Sequence, residues 1–351
     1  VTPFVRPQIA AMSAYVPGEQ PREETITKLN TNENPYPCSP QVIEAITRAC
    51  RNGLSRYPDP TASAFRAAAS QLLGVPADWL LCGNGSDELL TIVTRALVDS
   101  GDCIRYPTPS YVLYRTLAEI QGADRQEVSF GSDWTLGKDF VAPSDRLRLV
   151  FLANPNSPSG TMIPPARVLE IAEALPCPLL VDEAYVDFAD KNCIALVARC
   201  EKIIVTRSMS KSYSLAGLRF GYLVAQPHLI AQFNKVKDSY NCDALSIAGA
   251  TAAISDQSWL DETRRRIIAT RQRLAQGIQQ LGFRTTPSQA NFVWNTHPDV
   301  GVQPLYGRLK EQGYLVRYMH YPRWDEGLRI SVGTEEQIDR VLALLEDAVR
   351  R

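Results

Sequence analysis

The sequence predicts an α/β fold: a mostly parallel sheet covered by helices, followed by a smaller C-terminal α/β unit. Two observations predict it. Short runs rich in Val, Ile and Leu recur up to about residue 225, each ending in turn residues and leading into a helix-like stretch. That alternation is how parallel sheets are built. Beyond residue 225 the pattern changes to helices and then three short strand-like runs. The expected units are an N-terminal arm (1–28), a large domain (29–245) and a small domain (246–351).

The chain has 351 residues, 45% hydrophobic and 21% charged, enough for one large and one smaller core. A net charge of −1 offers no field for nucleic acid or an anionic membrane. No apolar run approaches a membrane span. The first twenty residues lack a basic stretch followed by an apolar one, so the expected location is cytoplasmic. The eight cysteines form no C-x-x-C and read as reduced thiols; the three histidines lack metal-ligand spacing.

Taken in order, the arm is rich in Pro and polar residues, and Tyr15 would ordinarily be a packing anchor there. LNTNENPYPCSP (29–40) is turn-rich, with Asn32, Glu33 and Asn34 as turn formers. Ser39 caps a helix with Pro40 at its first position, and Gly53 stops it. SRYPDP, containing Tyr57, breaks the pattern before a second helix over 62–73.

WLLCGNGSDELLTIVTRAL (79–97) reads as strand, glycine turn and helix. Ser86 or Asp87 starts the helix, where free N–H groups and the helix dipole favour an anion. Gly83 and Gly85 do not make a dinucleotide fingerprint, because Glu88 occupies the third glycine's place, and no G-K-[ST] follows. Tyr111 sits where another helix opens within 108–122, offering a flat aromatic face. LRLVFLANPNSPSG (147–160) is a strand and a turn carrying Asn156 and Ser157. CPLLVDEAYVDF (177–188) is a buried strand with Asp182 at its end, the carboxyl edge where open α/β sheets bind ligands. A buried aspartate there needs a partner.

KIIVTRSMSKSYSLAGLRFGYLVA (202–225) carries the densest chemistry. A buried strand ends in Ser208 and Ser210, then a single lysine, Lys211, with Arg219 eight residues on. Lysine is the side chain for Schiff-base chemistry, and hydroxyls with an arginine suit a phosphate. Together they point to pyridoxal 5′-phosphate (PLP). Helices follow over 229–254 and 262–281, the second with its arginines towards solvent. Runs 291–296, 314–319 and 328–333 read as strands carrying Arg317 and Arg329. Thr334 and Gln337 form a capping box for a last helix.

The segment S-M-S-K-S-Y-S-L-A-G-L-R-F-G resembles the lysine segment of fold-type I PLP aminotransferases, most of all the histidinol-phosphate aminotransferases. The likeness can be followed from Leu29 to Gly333. It implies that Lys211 binds PLP and then serves as general base, that Asp182 pairs with the pyridine nitrogen, and that Tyr185 bonds the phenolic oxygen. It implies a phosphate cup of Gly85, Ser86, Asp87, Ser208, Ser210 and Arg219, with Tyr111 stacked on the ring. Tyr57 matches a residue that reaches the neighbouring subunit's cofactor, so a homodimer with shared active sites is implied. Ser157 stands where many members have asparagine, which leaves the phenolic-oxygen contact open between Asn156 and Ser157. Substrate residues would be Tyr15, Asn32, Glu33, Asn34, Arg317 and Arg329, the last forked onto a carboxylate. The implied reaction is transamination of L-histidinol phosphate with 2-oxoglutarate, in histidine biosynthesis. An aromatic or broad-specificity aminotransferase, or a phosphoamino-acid decarboxylase, is the alternative. Ser208-Met209-Ser210-Lys211 formally contains S-x-x-K, but the S-D-N and K-T-G that a serine acyl hydrolase also needs are missing. A regulator built on the same domain would need a DNA-binding module, for which the short arm leaves no room.

Overall fold

The structure, a computed structural model, describes residues 4–14, 18–21, 25–322, 324 and 326–350. Tyr15 lies outside the described residues. The main sheet has seven strands: β1 (Leu80–Gly83), β2 (Cys103–Thr108), β3 (Asp124–Ser129), β4 (Leu147–Ala153), β5 (Leu179–Asp182), β6 (Ile203–Ser208) and β7 (Gly221–Val224). Their order across the sheet is β1-β7-β6-β5-β4-β2-β3. β7 runs antiparallel to both its neighbours, and the remaining pairings are parallel.

Side chains of a strand alternate between faces, so the continuous apolar runs feed two cores. Leu179, Val181, Ile203 and Val205 join Phe65, Val168 and Ile171 on one side. Leu180 and Ile204 join Leu89, Val93, Tyr114 and Phe233 on the other. Helix Ala244–Ser255 packs on helices Pro40–Arg51 and Ser63–Leu73, and its Ala250, Ala253 and Ile254 share the first of these cores.

A second, antiparallel sheet contains β8 (Arg284–Thr285), β9 (Phe292–Thr296), β10 (Arg317–His320) and β11 (Glu326–Ser331), in the order β10-β11-β9-β8. One of its faces, with Val293, Leu328 and Ile330, packs on Leu274, Ile278, Leu305, Val341 and Leu345 of three helices. Its other face carries Trp294, Arg317, Met319 and Arg329.

The local signals at helix ends hold. Ser39 accepts from the Gln41 N–H with Pro40 inside the first turn, and Thr334 and Gln337 form both bonds of the capping box. Three expectations are corrected. The run 314–319 is not one strand: Tyr314–Leu315 pairs in parallel with Thr27–Lys28, and only Arg317–His320 enters the C-terminal sheet. The helix within 108–122 begins at Leu113, because Cys103–Thr108 is already a strand and a turn intervenes. The arginine-rich helix runs Gln257–Gln280, and Arg271 does not face solvent. It is buried, and its guanidinium donates to the carbonyls of Phe188 (3.1 Å) and Ala290 (2.9 Å).

Candidate active site

A cleft of about 1560 Å3 lies between the carboxyl edge of the main sheet and the open face of the C-terminal sheet. Every parallel strand that ends there delivers its turn into the same place. β5 ends in Asp182, and Tyr185 follows it. β6 ends in Ser208, and Ser210 and Lys211 follow it. The turn after β4 brings Ser157, and the turn after β1 leads to Ser86 and Asp87.

Lys211 projects into the cleft, and its Nζ donates to the Thr31 carbonyl at 2.8 Å. Burial, aided by the guanidinium of Arg329, lowers its pKa to about 8. About a tenth of this amine is therefore neutral at pH 7, far more than for an ordinary lysine, and that is the form that attacks a carbonyl or accepts a proton. Asp182 is held from several sides. Tyr114 donates its hydroxyl to one carboxylate oxygen (2.9 Å), and the Ala184 N–H reaches the other (3.2 Å). Burial nevertheless raises its pKa to about 6. Burial makes its ionised form costly, and a cationic partner there would offset that cost. The Tyr185 hydroxyl accepts from Asn32 Nδ2 at 3.0 Å, and the Lys211 ammonium stands 5.9 Å from its ring centroid. Burial raises the Tyr185 pKa.

An anion cradle lies beside these groups. The helix Ser86–Leu97 opens at it, preceded by Gly85 at φ +83°. A side chain at Gly85 would stand 2.8 Å from Arg219 Nη2, and one at Gly221 would stand 2.7 Å from the Ser86 nitrogen. Both glycines therefore let this helix end close onto the strand and the arginine. Arg219 adopts the left-handed region at φ +51° and reaches Ser210 Oγ (3.3 Å) and Asp87 Oδ2 (3.4 Å). Backbone N–H groups at a helix start, serine hydroxyls and a guanidinium make a donor set for a phosphate. With the nearby amine and the buried carboxylate, the residues fit PLP.

Tyr111 lines the cleft, and its hydroxyl donates to Asp87 at 3.1 Å. Ser157 also lines it, its Oγ accepting from Arg329 Nη1 at 2.9 Å. Asn156 ties its own loop to the turn after Thr108: its amide donates to the Pro109 carbonyl (3.1 Å) and Ser159 Oγ (3.0 Å) and accepts from Ser110 (2.8 Å). Arg329 Nη2 donates to the Asn30 carbonyl at 2.8 Å, and Arg317 lies directly across the strand pair from it. Asn32 and Glu33 line the cleft, Glu33 paired with Lys28 at 2.5 Å. Asn34 does not line it. It donates to the carbonyl of Ser212 (3.0 Å), the residue after Lys211, whose hydroxyl bonds Asp187. Tyr57 is exposed and stacks on Tyr240 at 4.5 Å, away from the cleft of its own chain.

Sequence reasoning missed several contributors. Tyr114 lies in the first turn of the helix just after Tyr111, whose ring it meets edge-on at 5.7 Å, and no local signal in the sequence marked it as the partner of Asp182. Glu183 and Arg207 are buried beneath the site, joined through both Nε (3.0 Å) and Nη2 (2.9 Å). Glu183 comes next after Asp182, and Arg207 just before Ser208, so the pair ties together the two strand ends that carry the chemistry. Among the described residues no cluster resembles a metal site, and no helix is long and apolar enough to cross a membrane.

Residues 24–345 match the family model of class I and II aminotransferases. The chain belongs to that family. It is 52% identical to a histidinol-phosphate aminotransferase of Rhodopirellula baltica over 98% of this chain and 96% of that one. It is 44% identical to histidinol-phosphate aminotransferase 1 of Trichormus variabilis over the full length of both. Among solved structures, histidinol-phosphate aminotransferase from Sinorhizobium meliloti in complex with pyridoxal-5′-phosphate superposes with a TM-score of 0.90 at 26% identity, covering 100% of this chain and 98% of that one. The fold is thus that of fold-type I PLP-dependent transferases, and the serine-hydrolase and regulator readings fall away. The family implies PLP as cofactor.

Proposed function

We propose that this enzyme transaminates L-histidinol phosphate with 2-oxoglutarate, giving imidazole acetol phosphate and glutamate. The observation that carries the reading is the Arg317–Arg329 pair, two arginines opposite each other on adjacent strands, both lining the cleft that holds Lys211. The 52% identity to a relative of that name supports it. Histidinol phosphate has no α-carboxylate, whereas glutamate does. One cationic region must therefore accept a phosphate in one half-reaction and a carboxylate in the other. A guanidinium fork binds either in a bidentate manner.

PLP, when bound, supplies an electrophilic carbonyl for amines and an electron sink for the carbon next to them. Lys211 holds the cofactor between turnovers, and its neutral Nζ then takes the proton from the amine-bearing carbon of the donor. Asp182 supplies the negative charge that keeps the ring nitrogen protonated. Tyr185 and Ser157 face the phenolic side, with Asn156 fixing the turn behind them. Gly85, Ser86, Asp87, Ser208, Ser210 and Arg219 hold the phosphate, and Tyr111 offers its face to the ring. Asn32 and Glu33 shape the substrate side, to which we also assign Tyr15, while Asn34 holds the backbone of the lysine turn from outside the cleft. The working form is a cytoplasmic homodimer in which exposed Tyr57 completes the partner's site. Its partners are small molecules.

The test is a set of half-reactions with histidinol phosphate, histidine, phenylalanine and glutamate, each followed by loss of the visible cofactor band. The expected order of specificity constants has histidinol phosphate first among the donors other than glutamate. A preference for phenylalanine would replace this reading with an aromatic aminotransferase.

A further inference from the structure

Alternation along β10 sorts its side chains. Tyr318 turns to the helical side, where it donates to Glu326 (2.8 Å) and packs near Tyr306. Arg317 and Met319 turn to the cleft, and Tyr321, two residues further, lines the same cleft. Directly across from Met319 is Gly327 on β11. A Cβ on Gly327 would stand 2.3 Å from the ring of Trp294. The missing side chain is what lets Trp294 lie over the strand, and Trp294 in turn supports Tyr321, ring centroids 6.1 Å apart and tilted by 58°. The tyrosine thus packs against Trp294 in the cleft that Arg317 and Arg329 also line.

Its hydroxyl has a poor partner. It donates to the thioether of Met319 at 3.5 Å, and sulfur is a weak acceptor. An anion entering this space would take that proton at little cost. Burial pushes the phenol up to about 12 although Arg329 and Arg317 both pull it down, so it remains an O–H donor at neutral pH.

We propose that Tyr321 is a specificity-determining residue that donates its hydroxyl to the phosphate of the amino donor held between Arg317 and Arg329. The proposal rests on the phosphate-substrate reading above. A phosphate monoester presents three terminal oxygens. Two guanidiniums leave room for a third donor on that group. A carboxylate has two oxygens, and one guanidinium fork can satisfy both. The hydroxyl therefore distinguishes the two anions that must share the site.

The test is Tyr321→Phe, which keeps the ring and its seat on Trp294. The ratio of specificity constants, histidinol phosphate over glutamate, is expected to fall about tenfold, with the loss carried by KM. Competitive inhibition of the glutamate half-reaction of the holoenzyme by inorganic phosphate is expected to weaken in parallel. An unchanged ratio with unchanged phosphate inhibition overturns the proposal, as does an equal loss for both substrates. If the unaltered enzyme ignores histidinol phosphate yet Tyr321→Phe still weakens inorganic phosphate, the substrate reading fails and the anion-donor role of Tyr321 stands.

Discussion

Asp182 makes the fold less stable when it ionises in the absence of a cation, and the cost can be measured. Burial raises its pKa to about 6 from an ordinary 3.8. The folded chain therefore binds a proton more tightly than the unfolded chain, and stability falls as pH rises through that interval. The shift of roughly 2 pH units corresponds to about 3 kcal/mol in all. About 2 kcal/mol of it falls between roughly pH 4.5 and 7.5. Asp182→Asn removes the titration. The amide also meets donors from Tyr114 and Ala184 at both of its ends, which adds an offset independent of pH. The measurement is urea unfolding of the cofactor-free protein across that pH range. Stability of the unaltered protein relative to Asp182→Asn is expected to fall by about 2 kcal/mol as pH rises. In PLP-loaded protein the slope should vanish, because the ring nitrogen supplies the missing cation. A difference that stays flat with pH in the cofactor-free protein would refute the reasoning. Turnover by Asp182→Asn should fall sharply, since asparagine carries no charge.

Borohydride reduction of the yellow holoenzyme should place the label on Lys211, and peptide mapping to another lysine would sink that assignment. Arg317→Ala should weaken histidinol phosphate more than glutamate, by about 1.5–3 kcal/mol, if Arg317 serves the phosphate and Arg329 both anions; equal losses in the two half-reactions would refute that assignment. Mixing Tyr57→Phe chains with Lys211→Ala chains should restore one intact site per heterodimer, measured as recovered turnover. Tight heterodimers without recovery would end the shared-site proposal. Glu183→Gln should destabilise the protein by about 3–5 kcal/mol, because Arg207 keeps a buried charge with its bonded carboxylate gone; a melting temperature within a degree of the unaltered protein would show the pair to be dispensable.

The elements that were legible in the sequence are those whose causes are local. Ser39 and Pro40, or Thr334 and Gln337, act within a single turn, so their residue types suffice. The apolar runs at 179–181 and 203–205 are legible because a strand buried on both faces leaves no polar position to confuse the period. β3 was not read as a strand because its sequence, DRQEVS, lies at the sheet edge and is largely exposed, so burial imposes no pattern on it. The reversed direction of β7 was hidden for another reason: a strand's own residues are buried alike whichever way it runs.

The site divides along the same line. Residue types pointed to an amine, a carboxylate and anion donors that the fold brings to one cleft, because each chemistry admits few side chains. Which partner holds each group is set by residues far away in the chain. Asn32 meets Tyr185 across 153 positions and Asn34 meets the carbonyl of Ser212 across 178. Two asparagines of one turn, separated only by Glu33, thus do different work: Asn32 bonds Tyr185, which lines the cleft, and Asn34 grips the backbone that carries Lys211. A β-turn alone would accept either asparagine without these contacts. The long-range bonds give the 29–40 segment a structural role, linking the C-terminal sheet, through Asn32 and Ser331 Oγ (2.9 Å), to the lysine turn of the main sheet. A displacement of the C-terminal sheet would therefore move Tyr185's hydrogen-bond donor and the support of Lys211 together. The strands that carry Arg317 and Arg329 and the turn that carries Lys211 are thus joined through the one segment 29–40.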